Sequence, residues 1–481
     1  MRSAYALALA AAIALDGCSG DSGDGHQACT GGCRTVSRAV TYWAESGATT
    51  TVPEQATVSA LVPLPAGGYS TVAATAIGTG AWSFSDLAPG PVLLRIETPG
   101  RTDFVETSAT AVDIGRDMGG RPDPGSGDPP VDMTFGLSGL DPWDVDRDQL
   151  QLFSWQTRWW DLFPPFEPVG GEEAVDVFYT WYGPPLATGD VVHAVQSRSA
   201  ALVGDFQPIS SVAAGSATIS TAAPASVAIA MEPLAANRAI DLDWRATEFE
   251  ALGASMGTGQ TAYAMPHILL VAAIPAPLAL PSPVVNAASI DYLDLVGPEG
   301  SADLAATLDY AAHMGAAYRE FLYVSFHAGL ARTAPGASSA RTIYAALYQQ
   351  QDLATVPATL APMVGPVAPQ IAGLDALGDL AGVGTTPLLK WSLPSLGEAT
   401  HYEVDIWEVY ANGTMTARRP VASFLTTGRK IEVPTGVLEV GKAYVAVFRA
   451  VWSPDDEPEG APFRSGLPRA VAETLSGVLQ P

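Results

Sequence analysis

Glycine and proline punctuate this 481-residue chain closely, with 47 of one and 39 of the other. Glycine resists ordering in a helix and proline removes a backbone donor. Few segments therefore sustain an apolar repeat of three to four residues with a charged face opposite. What recurs instead is alternation. Val92, Leu94 and Ile96 point one way while Arg95 and Glu97 point the other, the period-two signature of a half-buried strand. The chain is expected to be mainly β, built as tandem antiparallel β-sandwich domains, and its length is enough for about three of them.

Lys plus Arg is 24 against 50 for Asp plus Glu, a net charge of -26. Such acidity opposes binding to nucleic-acid phosphates, which depends on clustered Lys and Arg, and suits a self-repelling, soluble surface. All three cysteines lie in the first 33 residues, so none can staple the later domains. Cys29 and Cys33 flank Thr-Gly-Gly, and a local disulfide is expected between them in an oxidising compartment. A zinc site is disfavoured, because two cysteines make half a tetrahedral shell and His26 is the only nearby additional imidazole.

The N-terminus explains why that compartment is expected. Arg2 precedes an apolar run from Ala4 to Leu15, and twelve such residues cover only about half of the roughly 30 Å hydrocarbon core. The run is a secretion signal, not a membrane span. Its ending, Leu15-Asp16-Gly17-Cys18, resembles the lipobox of bacterial lipoproteins, with Asp16 where such motifs usually carry a small uncharged residue. The resemblance implies a signal peptide over 1–17, cleavage before Cys18, lipidation of its thiol and acylation of the new amino group. It also implies a membrane as partner, through the N-terminal lipid. Ser19 after the cysteine points to outer-membrane sorting. Residues 18–34, rich in Gly, Ser and Asp, read as a flexible tether.

From 35 to 121 alternating strands are broken by Gly and Pro. Trp82 and Phe84 share a face, followed by Leu87-Ala-Pro-Gly90 and the strand from Val92. This stretch resembles the carboxypeptidase regulatory-like family, of transthyretin-like topology, which implies an accessory module with Trp82 and Phe84 in its core. Residues 121–130 read as a linker. Strands recur over 131–274, including Ser226–Met231 and the apolar run Ile268–Ile274. Prolines 275, 277, 281 and 283 then mark either a boundary or a crossover inside one larger domain. Residues 284–381 are read as β, although the Ala-rich stretch 302–318 also suits a helix, and 361–381 as surface loops. The last region, 383–475, carries Trp391, Tyr402, an Asn412-Gly413 turn, and Leu438, Gly441 and Tyr444. These resemble a fibronectin type III domain, implying an immunoglobulin-like sandwich with a tyrosine corner.

Candidate chemistry is sparse. Gly253-Ala-Ser255-Met-Gly257 fits the nucleophile-elbow spacing of a serine hydrolase, with His267, His313 or His327 as bases, but no helical pattern follows it. Asp144, Asp146 and Asp148 alternate as in a calcium loop, yet Gln149 replaces the turn glycine and Trp155 the bidentate glutamate. No two of the six histidines lie within ten residues of each other, which gives no support to a helical zinc pair. No cofactor is implied. Five of eleven tryptophans fall within 39 residues. Trp155, Trp159, Trp160 and Trp181 are candidates to stack on sugar rings of an envelope polysaccharide, weighed against a buried core or inter-domain seam. The best reading is an exported, lipid-anchored envelope protein with a non-catalytic binding, adhesion or structural role, its partner a polysaccharide or another surface protein.

Overall fold

The computed structural model describes residues 33–85, 87–122, 130–163, 170–181, 183–261, 263, 265–275 and 290–481. Its regular secondary structure is nearly all strand, arranged in several sheets. The helices among the described residues are the eight-residue α-helix Ala246–Gly253 and a short 3-10 turn at Leu353–Thr355. Among the described residues no helix is long and apolar enough to cross a membrane.

The N-terminal module forms as its alternation dictates. Trp82 and Phe84, on strand Ala81–Phe84, are buried with Val92, Leu94 and Ile96 in one core. Strand Val92–Thr98 departs from the expected half-burial, because Leu93 on its other face is also buried. Leu93 joins Leu61 and Phe104 in the main core of the molecule.

The central region contains two cores. Strand Val131–Ser138 pairs with Ala174–Trp181 and with Ser226–Pro233, whose alternating burial matches its sequence pattern. Facing them, Asp148–Ser154 pairs with Trp159–Phe163 and Val191–Ser199, and Met133, Phe135, Leu152, Val192 and Ile229 fill the space between. The apolar run at 268–274 lies in strand His267–Pro275, which is buried on both faces. It pairs with Ile290–Gly297 and Tyr318–Arg332, while Gln207–Thr218 pairs with Ile290–Gly297. The strands on either side of the proline-rich segment, His267–Pro275 and Ile290–Gly297, thus pair directly in one sheet. Leu304–Tyr310 is a strand paired with Arg238–Trp244, so the alanine-rich stretch does not form a helix there. Alternating exposure along it lets tertiary pairing override alanine's helical preference.

At the C-terminal end Trp391 packs on Tyr402 and Phe448, with ring centroids 5.5 and 5.8 Å away. The expected corner is present as geometry: the Glu439 N–H donates to the Tyr444 hydroxyl at 3.0 Å, after a turn in which Gly441 takes a φ of +84°. Two details differ from expectation. Pro369–Ile371 is a strand paired with Leu388–Trp391, so this sheet begins inside the stretch read as loops. The hairpin joining His401–Asn412 to Met415–Thr426 pairs Asn412 with Met415, which places Gly413 and Thr414 in the turn. Gly413, at φ +61°, supplies the positive φ that a two-residue turn beginning with glycine requires.

The modules are not beads on a string. Arg101–Thr107 of the N-terminal module pairs in parallel with Met415–Thr426, over 300 residues later, and Phe104 stacks on Phe424 at 4.7 Å. Arg341–Asp352 pairs with Arg469–Leu475. Backbone ladders therefore tie the N-terminal, central and C-terminal parts into one continuous sheet.

Candidate functional site

The aromatic cluster is core and seam. Trp143, Phe153, Trp155, Trp159 and Trp181 are all buried, and Trp159 and Trp181 lie against each other at 3.8 Å. The side chain of Trp160 lies outside the described residues. Rings buried this way offer no face to a sugar, which corrects the reading of Trp155, Trp159 and Trp181 as ligand-binding aromatics. Trp155 is a wedge between modules. Its indole N–H donates to the Trp43 carbonyl at 2.7 Å, and its ring lies where a Cβ on Gly119 would sit, 2.5 Å away. Only glycine admits that approach.

The acidic loop is bridged by arginines. Arg198 reaches both oxygens of Asp148, at 2.5 and 2.6 Å, and also Asp141. Arg147 holds Asp144 at 2.6 Å, and the Asp144 N–H donates to Asp148. The hydrogen bonds to Asp148 and Asp141 hold the Arg198 guanidinium charged against the effect of burial. The Asp144 and Asp148 carboxylates are thus engaged by arginine, whereas Asp146 contributes its backbone N–H to Asp144 at 3.2 Å. No group of three potential ligands is assembled for a metal among the described residues.

Ser255 follows helix Ala246–Gly253 where a nucleophile elbow needs the helix after the serine. Its hydroxyl donates to the Leu252 carbonyl at 2.7 Å. Of the proposed bases, His267 bonds Glu250 at 3.0 Å and His313 lies near the Ala311 carbonyl. His327 instead meets Ser325, Oγ to Nε2 at 2.9 Å. Ser325 is fully buried, and burial lowers His327 to about 4, so this pair has neither access nor a base near neutrality. Cys33 is disulfide-bonded; Cys18 and Cys29 lie outside the described residues.

Residues not singled out by their sequence line a cleft of about 820 Å³ where the N-terminal and central modules meet, among them Glu45, Gln156, His193 and Tyr318. His193 Nε2 lies 2.7 Å from Glu45, Gln156 donates to the same carboxylate at 3.1 Å, and Phe153 stacks on the imidazole at 4.7 Å. Burial pushes the Glu45 carboxyl up, but the hydrogen bond and charge of His193 outweigh it and leave Glu45 below its usual range. With the Arg121–Asp190 pair at 3.2 Å, this arrangement is a clasp between modules. No local motif marks it, since Glu45 is more than 100 residues from both Gln156 and His193.

No protein-family model matches the chain, and no curated protein matches it. Solved structures align with it at low similarity. An Escherichia coli alpha-2-macroglobulin activated by porcine elastase is 11% identical over 93% of this chain and 43% of its own, with a TM-score of 0.15. This chain thus spans under half of the macroglobulin's length. A tetra-tandem repeat from the extending region of a large adhesion protein is 11% identical over 92% and 99%, with a TM-score of 0.13. The major pilin subunit of Bacillus cereus is 7% identical over 88% and 90%, again with a TM-score of 0.13. Scores of this size carry no argument about function.

Proposed function

We propose that this chain is an exported, lipid-anchored protein of a bacterial cell envelope, with a non-catalytic structural or binding role. The observation that carries the proposal is the apolar run closed by Leu15-Asp16-Gly17-Cys18, whose chemistry offers a route to a membrane without a spanning helix. Several acyl chains give stable anchoring where one gives only marginal binding. A scaffold role is supported by the use of the aromatic and charged side chains, which join modules to each other and leave no assembled nucleophile and base at Ser255. We read 35–121 as a carboxypeptidase regulatory-like module and 383–475 as a fibronectin type III-like one. The buried Trp82 and Phe84 support the first, and the Trp391 core with the Tyr444 corner supports the second.

Fractionation of cells expressing Cys18→Ser tests the anchor. The variant is expected in the soluble exported fraction while the parent sediments with membranes. Continued membrane association of the variant overturns the lipid anchor and leaves the module reading untouched.

A further inference from the structure

Lysine is rare in this chain, at three among 481 residues, yet two lysines stand directly across from each other. Lys390, on strand Leu388–Trp391, is in register with Lys430 on strand Lys430–Glu432, and Gln370 on strand Pro369–Ile371 is in register with Lys390 on its other side. Adjacent strands lie about 4.8 Å apart, so both ammonium groups are presented on one face. Arg429 joins them around a cleft of about 530 Å³, which Ala368, Gln370, Trp391 and Ser392 complete.

No carboxylate lines that cleft. Glu432, on the same face two residues along from Lys430, is turned onto the Gly68 N–H, 3.1 Å from each oxygen. Glu106 is taken by the Thr426 hydroxyl. Among the described residues, Lys390, Arg429 and Lys430 have no ion-pair partner. The third lysine, Lys442, shows the contrast, with Nζ 2.7 Å from Glu439. Like charges directly across a strand pair repel, so an acidic protein has placed three cations together without an internal counter-charge. Beside them the buried Trp391 indole N–H has no acceptor.

We propose that this cleft binds a small oxyanion of phosphate or sulfate chemistry, as the free ion or as the terminal group of a small molecule. Lys and Arg grip such groups through charge-assisted hydrogen bonds, Arg with a planar fork and Lys as a point charge. The Gln370 amide adds a neutral donor. The net charge of -26 opposes a long polyanion or an anionic bilayer, whose charge extends over the whole surface. A small ion feels mainly the local cluster, because screening sets in over about 8 Å at physiological salt. The site goes beyond the anchoring proposal and does not depend on it.

The scarcity of lysine makes the test direct. Reductive methylation of the purified full-length protein with 13C-formaldehyde labels three lysine side chains and keeps their charge. The signals are assigned with Lys390→Gln, Lys430→Gln and Lys442→Gln and followed during titration with inorganic phosphate against sodium chloride of matched ionic strength. The Lys390 and Lys430 signals are expected to shift and saturate with phosphate while Lys442 stays still. Lys430→Gln should weaken binding about tenfold, as loss of one charge-assisted contact, and Lys442→Gln should leave it unchanged. Three lysines that respond alike, or none that responds to phosphate beyond chloride, overturn the site. A parallel titration with phenyl phosphate separates the sources: tighter binding than phosphate assigns the terminal group of a small molecule, and equal or weaker binding assigns the free ion.

Discussion

Arg449 is largely buried and lies against three carboxylates; Lys430 is exposed and lies against none. Arg449 Nη1 is 2.6 Å from Asp405 and 3.6 Å from Glu403, and its Nε is 2.7 Å from Glu473. Arg469 adds contacts to Glu403 at 2.8 Å and Asp456 at 3.1 Å. The Ala346 N–H, from the central region, donates to Glu473 at 2.8 Å, so the network spans the junction between central and C-terminal strands. Lys390, Arg429 and Lys430 lie on the outward face of a neighbouring sheet with no such closure. The difference separates charge that holds the molecule together from charge that remains available. In the first cluster every charge is answered internally, and removing one leaves the others exposed to one another in a poorly hydrated place. In the second, the repulsion is already present.

The largest expected effect breaks the closed cluster. Arg449→Met keeps the volume but leaves Glu403, Asp405 and Glu473 facing each other, and loss of one partner from a buried network costs about 3–5 kcal/mol. Urea denaturation at neutral pH measures it; a loss below about 1 kcal/mol would show the network to be dispensable. The pH dependence should also change sign. Burial raises Glu403, but His401, Arg469 and Arg449 outweigh it and hold it well below the usual carboxylate range. In the parent its contribution is present above the ordinary glutamate pKa of about 4.3 and lost as pH falls toward the lower folded value. In the variant the crowded carboxylates bind protons more readily when folded, so mild acid should recover part of the loss.

The next effect comes from a buried group with no counter-charge. Burial lowers His327 from 6.5 to about 4, so its neutral form is favoured in the folded chain. The unfolded chain binds the extra proton between those values. The contribution is complete above about 6.5 and is lost as pH falls toward about 4, by on the order of 3 kcal/mol. His327→Gln, which keeps a polar partner for Ser325 without titrating, should flatten this window. Denaturation midpoints across pH 4 to 7 measure the slope, and an unchanged slope would remove His327 as its source.

Much of the fold is local enough to be read along the chain. The inward face of Val92, Leu94 and Ile96, the buried Trp82 and Phe84, and the Leu438-Gly441-Tyr444 corner each depend on residues a few positions apart, and each appears with the expected burial or hydrogen bond, although Leu93 is buried on the face expected to be open. What could not be read depends on register. The pairing of Arg101–Thr107 with Met415–Thr426 joins segments with no shared motif. Trp155 is a wedge because Gly119 lacks a Cβ, a relation across 36 positions that leaves no periodicity. Asp148 lost its resemblance to a calcium ligand to Arg198, which register brings from 50 residues away. The open cluster had one faint signal, the concentration of all three lysines after residue 389. That Lys390 and Lys430 are opposite each other is a property of strand pairing alone.

The smallest effect sharpens the comparison because its sign is opposite. If Lys390 and Lys430 repel across the ladder with no internal anion, Lys430→Gln removes an unfavourable pair and should stabilise the protein by a few tenths of a kcal/mol at low salt. Screening weakens exposed interactions, so the gain should fade as sodium chloride rises past about 0.15 M. It should also disappear in phosphate, which stabilises the parent by binding its folded form and leaves the variant behind. Arg449→Met at the closed cluster should show neither reversal with phosphate nor strong sensitivity to salt. Thermal unfolding of both variants in matched low-salt, chloride and phosphate buffers therefore distinguishes charge that is built into the fold from charge held open. A Lys430→Gln variant less stable than the parent at low salt without phosphate would mean that Lys430 already has a stabilising partner, and the two clusters would then be of one kind.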